Sequence, residues 1–204
     1  MRMTGTQDKL WEQVATPDIA ADVARTEHIR GKMFPYQYAA VYRLANQYEG
    51  GNILEIGGFL GRSALVMSLA APRARIVSLE PYLFKEAHNN TAGRGNVKVI
   101  KEWSWRYLTT TRLVWDMILV DGNHHRIVDD LPWFNRLKTG GLILFHDYTP
   151  NRCLRVYVAI NSMAKALGRV PDVLIVDDEQ FGMAGFYRQD AERLSLCTAN
   201  RIPR

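Results

Sequence analysis

The residues of this 204-residue chain best suited to chemistry fall into two groups. The first is a glycine-rich turn, Glu55-Ile56-Gly57-Gly58-Phe59-Leu60-Gly61-Arg62-Ser63, with Glu80 nineteen residues beyond Gly61. The second is a set of acids and imidazoles: Asp121, His124 and His125, then His146 and Asp147. Glycines let a backbone turn sharply and let a ligand approach with no Cβ in the way. Such a turn is by itself a weak signal, and a nicotinamide-nucleotide loop is broadly similar. Here the close G-x-G-x-x-G spacing is missing, and an acid stands two residues before the first glycine. A carboxylate repels a pyrophosphate and attracts a ligand bearing ammonium or sulfonium charge. Glu80 ends an apolar run, where an acid accepts hydrogen bonds from ribose hydroxyls. Glu102-Trp103-Ser104-Trp105 offers a small hydroxyl to a base and a tryptophan face for stacking, although either tryptophan can equally be core.

These groups need a scaffold, and the chain alternates short β-rich runs with helical stretches. Strands are expected at 53–56, 76–79, 97–100, 117–120 and 142–145, with helices over 63–70, 85–90, 103–109, 127–137 and 154–167 between and after them. Strands that are apolar throughout and separated by helices argue a parallel sheet covered on both faces. Strands 173–176 and 183–187 are joined by a short polar turn with no helix, so they must pair antiparallel. The fold expected is α/β, a three-layer Rossmann-like sandwich with one antiparallel strand from a C-terminal hairpin near one edge. Before the sheet, Thr16 caps a helix opened by Pro17. A further helix spans 36–48 and stops at Gly50-Gly51. Residues 1–30 read as a helical extension, 31–190 as the main domain and 191–204 as a basic tail.

Hydrophobic residues make up 47% and charged residues 23%, the balance of a soluble globular protein. No apolar run approaches the roughly 20 residues that span a bilayer, and the N-terminus lacks a secretory signal. A cytoplasmic protein with no membrane partner is the expectation. The formal charge of +5 is scattered rather than clustered, which speaks against nucleic acid as partner; only Arg188, Arg193, Arg201 and Arg204 enrich the tail. Cys153 and Cys197 are too far apart for a C-x-x-C motif and read as free thiols in a reducing compartment.

Taken together, Glu55 to Ser63, Leu79-Glu80-Pro81, Glu102-Trp103-Ser104 and Val120-Asp121-Gly122 resemble the successive motifs of class I S-adenosylmethionine-dependent methyltransferases. The E-x-G-x-x-x-G-x-S form is similar to the small-molecule O-methyltransferase branch. Asp121-Gly122-Asn123-His124, residues 133–141 and Phe145-His146-Asp147-Tyr148 resemble a subgroup holding macrocin- and mycinamicin-type sugar O-methyltransferases and cephalosporin-hydroxylase-like proteins. The likeness spans roughly residues 31–190 and implies a seven-stranded, mostly parallel sheet. It implies S-adenosyl-L-methionine as cofactor, held by Glu55, Gly57, Gly58, Gly61, Ser63, Glu80, Ser104, Trp105 and Asp121.

Methyl transfer is an in-line displacement on a sulfonium carbon, so the enzyme must align the acceptor and make it electron-rich. An unactivated alcohol needs a general base, a cation on its oxygen, or both. The resemblance puts a divalent metal on Asp121 and the base on His124, whose ordinary pKa near 6.5 suits the task. A structural histidine at a strand-to-helix corner is the competing reading, and His125 reads as a helix-start residue pointing away. The subgroup's metal users carry two adjacent acids where this chain has His146-Asp147. Three alternatives stay open: Mg2+ on Asp121 and Asp147, a softer ion such as Mn2+ or iron, or His146 as base with no metal. The expected partner is a small-molecule acceptor in a pocket drawing on Phe34, Tyr36, Tyr148, Tyr157 and Phe181, with self-association left open. The other readings are methylation of a nitrogen or of nucleic acid, and a catalytically silent cofactor-binding scaffold.

Overall fold

Seven strands carry the apolar runs. A computed structural model describes residues 5–176 and 182–194, and the chain divides into two compact units between Trp103 and Ser104. In the first unit, α1 (Gly5–Val14), α2 (Pro17–Ala24) and α3 (Pro35–Asn46) precede β1 (Asn52–Ile56), α4 (Arg62–Ala70), β2 (Arg75–Leu79), α5 (Phe84–Thr91) and β3 (Val97–Ile100). The Thr16 hydroxyl accepts the Ile19 N–H at 3.5 Å, and Pro17 occupies the first turn of α2 where no N–H is needed. Pro35 opens α3 in the same way, and the Gln37 side chain accepts the Phe34 N–H at 2.8 Å. β1 and β2 run parallel from Asn52 opposite Arg75 to Ile56 opposite Leu79, and β2 pairs parallel with β3. Ile53, Leu54, Ile76 and Val77 are fully buried, as strands covered on both faces require. The two leading helices α1 and α2 pack on α3.

The second unit holds α6 (Ser104–Thr110), β4 (Trp115–Val120), β5 (Leu137–Tyr148), α7 (Leu154–Leu167), β6 (Val173–Ile175) and β7 (Gly182–Tyr187). β4 and β5 pair parallel, whereas β7 runs antiparallel to both β5 and β6. The sheet order is β3-β2-β1-β4-β5-β7-β6, a seven-stranded α/β arrangement of Rossmann-like type with one antiparallel strand, as expected. One expectation fails. The helix placed over 127–137 is instead two 3-10 turns, His124–Asp129 and Leu131–Arg136. Arg126 leaves helical geometry at φ −118°, and Pro132, at the head of the second turn, has no N–H to continue an α-helical ladder.

Among the described residues no helix is long and apolar enough to cross a membrane. Of the expected tail arginines, Arg188 donates to the Leu137 and Glu192 carbonyls. Phe181, Cys197, Arg201 and Arg204, together with the turn between β6 and β7, lie outside the described residues.

Candidate functional site

The glycine turn of the first unit is built around two acids. Glu55 is fully buried on β1, and Ser78, its register partner on β2, donates a hydrogen bond to its Oε2. The next turn leaves β1 through Gly57 at φ 93°, Phe59 at φ 46° and Gly61 at φ 86°, a left-handed path that side chains resist. Gly58 is needed for a different reason. A Cβ there would lie 2.3 Å from Ser78 Oγ, 3.4 Å from Glu55 Oε2 and 3.5 Å from Glu80 Cβ, so only a bare backbone lets the turn settle against both acids. Glu80 accepts the Phe59 N–H on Oε2 at 2.7 Å, and the Tyr82 and Leu83 N–H groups on Oε1 at 2.7 and 3.0 Å. A carboxylate offers about four acceptor positions. Three are taken, so Oε2 has room for one more donor. Ser63 is buried in the first turn of α4.

The leading segment reaches this turn, which nothing in its composition signalled. Arg62, directly after the last glycine, donates through Nε to Thr26 Oγ1 at 3.1 Å, and its guanidinium lies 4.3 Å from the centre of the Tyr38 ring. Arg30 and Lys32 stand 5.6 and 5.7 Å from the centre of the Phe59 ring. These contacts brace the glycine turn from outside.

In the second unit, Asp121, His124, His146 and Asp147 converge. His124 Nε2 lies 2.7 Å from Asp147 Oδ2 and 4.0 Å from Asp121 Oδ1. His146 Nδ1 lies 3.1 Å from both Asp121 Oδ1 and Asp147 Oδ1. Consecutive residues of a regular strand point to opposite faces, yet the side chains of His146 and Asp147 meet, 3.1 Å apart, within one cluster. The backbone explains it: the register of β5 against β7 shifts between Phe145 and Tyr148, and Asp147 sits at φ 61°. An irregularity of this kind re-aims side chains at a strand end, and aspartate tolerates the left-handed region better than most residues.

The charges are mutually stabilising. The Asp121 and Asp147 carboxylates beside His124 push its pKa up to about 9, against the opposing effect of burial. Burial favours a neutral His146, but the charges of Asp121 and Asp147 and their hydrogen bonds outweigh it and raise its pKa. Burial likewise opposes ionisation of Asp147 and Asp121, and the two imidazoles overcome it, holding both carboxyls below their usual range. At neutral pH the cluster is two carboxylates and two imidazoliums. His125 is exposed, and its N–H donates to Asn123 Oδ1 at 3.0 Å.

Ser104 and Trp105 do not join that cluster. The Ser104 hydroxyl donates to Oδ1 of Asp130, a buried acid whose pKa burial pushes up to about 7. Trp105 is 42% exposed, with the Arg126 guanidinium 5.9 Å from its ring centre. A residue that the motifs did not flag stands beside His124: Cys153 Sγ is 3.8 Å from Nδ1, just ahead of α7.

Magnesium does not suit these donors. It prefers an octahedron of oxygens, whereas the His146 ring nitrogen occupies the gap between Asp121 and Asp147 where a shared cation would sit. The remaining donors are an imidazole and a thiol.

Solved structures share the fold at low identity. Cofactor-bound Rv0187 from MTB is 18% identical, with 93% of this chain and 100% of that one covered and a TM-score of 0.64. The O-methyltransferase TomG from Streptomyces achromogenes, involved in tomaymycin synthesis and solved with SAM, is 17% identical over 91% and 100%, with a TM-score of 0.63. An O-methyltransferase from Bacillus cereus in complex with SAH is 16% identical over 91% and 98%, also at 0.63. No curated protein matches the chain. Over residues 54–148, the stretch that holds the glycine turn, Glu80 and all four members of the acid–imidazole cluster, the chain matches the family model of a methyltransferase domain.

Proposed function

We propose that this protein transfers a methyl group from S-adenosylmethionine to a hydroxyl of a small molecule. The observation that carries the reading is the glycine turn closed on two acids, with Gly58 free of any Cβ against Glu80. The domain match over 54–148 supports it, as do the SAM named with TomG and the SAH named with the Bacillus cereus enzyme. In this reading Glu80 Oε2 takes one ribose hydroxyl. Taking both would require the Phe59 N–H to yield its place.

Transfer forms a carbon–oxygen bond as the carbon–sulfur bond breaks, and the electron pair goes to sulfur, leaving a neutral thioether. The proton of the acceptor hydroxyl is the one charge left to place. His124 receives it once its own proton has passed to solvent, and Asp147 at 2.7 Å stabilises the imidazolium that results. His146 holds Asp147 and Asp121 in position rather than acting on the acceptor, since its ring is buried and its Nδ1 is committed to both acids. No step is assigned to a metal.

Calorimetry tests the reading directly. Titration with the demethylated product, S-adenosylhomocysteine, is expected to show one saturable binding event per chain. A flat trace with both this nucleoside and S-adenosylmethionine would refute it.

A further inference from the structure

Asp147 divides its two oxygens. Oδ1 faces His146, which in turn holds Asp121, so that side is closed by the buried imidazole. Oδ2 faces His124, and beyond the His124 ring lies the Cys153 thiol, 3.8 Å from Nδ1. One donor atom each from His124, Asp147 and Cys153 lie within 4.8 Å of one another. They come from three separate elements: the first 3-10 turn, the irregular end of β5 and the residue ahead of α7. His124 and Cys153 are only partly buried, so an ion has a path in and the imidazole has room to turn one nitrogen towards it.

We propose that His124, Asp147 and Cys153 form a three-ligand site for a borderline divalent ion of the zinc and cobalt class. The chemistry of the donors selects the ion. One imidazole, one carboxylate and one thiolate form a mixed N/O/S set, which disfavours magnesium and calcium and suits zinc. Three protein ligands leave one of four tetrahedral positions open. The family match ends at Tyr148, so Cys153 lies outside the part of the chain that it describes.

The consequence for catalysis rests on the methyltransferase reading above. A ligated imidazole cannot take a proton from the acceptor, so an ion here silences the base, acting as an inhibitor rather than a cofactor.

The test uses the full chain stripped of metal by chelation and then titrated with Co2+. The expected result is a near-ultraviolet sulfur-to-cobalt charge-transfer band saturating at one ion per chain and erased by Zn2+. Cys153→Ser removes the band and Cys197→Ser keeps it. No band, a band that survives Cys153→Ser, or displacement of Co2+ by an equal amount of Mg2+ overturns the site. If Cys153→Ser does not fold, alkylation of the native chain reads the same contact: Zn2+ slows iodoacetamide labelling of Cys153 at least tenfold, and equal labelling overturns the proposal. Calorimetry with S-adenosylhomocysteine on the ion-free chain separates the two readings. Nucleoside binding without the band removes the metal site alone, whereas the band without nucleoside binding removes the methyltransferase reading and leaves the site standing.

Discussion

Replacing Asp130 with asparagine is expected to stabilise the protein at alkaline pH and to matter far less in acid. Asp130 is 3% exposed and receives the Ser104 hydroxyl, a bond that asparagine can still accept through its own oxygen. Burial lifts its pKa to about 7, with Asp129 adding to the rise while Ser104 and Arg126 oppose it. The unfolded carboxyl titrates near 3.9. Between these values the native state holds a proton that the unfolded state has released, so raising the pH through this window destabilises the fold; above about 7 the loss is complete. Each pH unit is worth about 1.4 kcal/mol. From pH 5 to pH 8 the wild type therefore loses roughly 3 kcal/mol that Asp130→Asn keeps. All other titrating groups are shared and cancel in the difference. Urea denaturation of both proteins at pH 5, 6, 7 and 8, followed by far-ultraviolet circular dichroism, measures the gap. A difference constant to within about 0.5 kcal/mol across that range would refute the argument that Asp130 is a desolvated acid.

Three further substitutions probe the other parts of the structure. Gly58→Ala should abolish S-adenosylhomocysteine binding in calorimetry and cost about 1–3 kcal/mol of stability, because the added methyl would sit 2.3 Å from Ser78 Oγ; unchanged affinity would remove the turn from the binding site. His124→Ala should lower turnover by about a hundredfold or more while leaving nucleoside affinity within twofold, the signature of a lost general base; full activity would reject that role. Thr16→Ala should cost about 0.5–1 kcal/mol, seen as a melting temperature lower by roughly 1–4 °C, since the cap hydrogen bond is long at 3.5 Å.

Elements governed by local pattern were legible in the sequence, and contacts set by tertiary geometry were not. Helix α7 has the bounds expected, Leu154–Leu167, because its apolar spacing is regular and Gly168 closes it in the left-handed region at φ 68°. The strands announced themselves as mainly apolar runs. Glu55 was visible as the one acid inside such a run, and the single polar residue of the second run, Ser78, is its partner; reading the two strands in parallel register would have found it. The sequence offers the Ser104 hydroxyl to a ligand; in the structure it donates to an acid 26 residues later, a pairing no spacing rule indicates. Cys153 reads in the sequence as a free thiol, too far from Cys197 for a C-x-x-C motif, and the histidine beside it in space stands 29 residues away in the chain. For His146 and Asp147 the sequence shows the residue types, while the reason both can join one cluster lies in a strand irregularity that it does not advertise.

That irregularity has a practical consequence for anyone screening variants. Gly182 of β7 pairs with Tyr148 just past the shift, and a Cβ on it would stand 2.6 Å from the Ile175 carbonyl oxygen and 2.8 Å from that of Tyr148. Any side chain at this position must push the hairpin away from the strand end that aims His146 and Asp147. A residue with no functional group of its own would then score, in an activity screen, as though it belonged to the reaction.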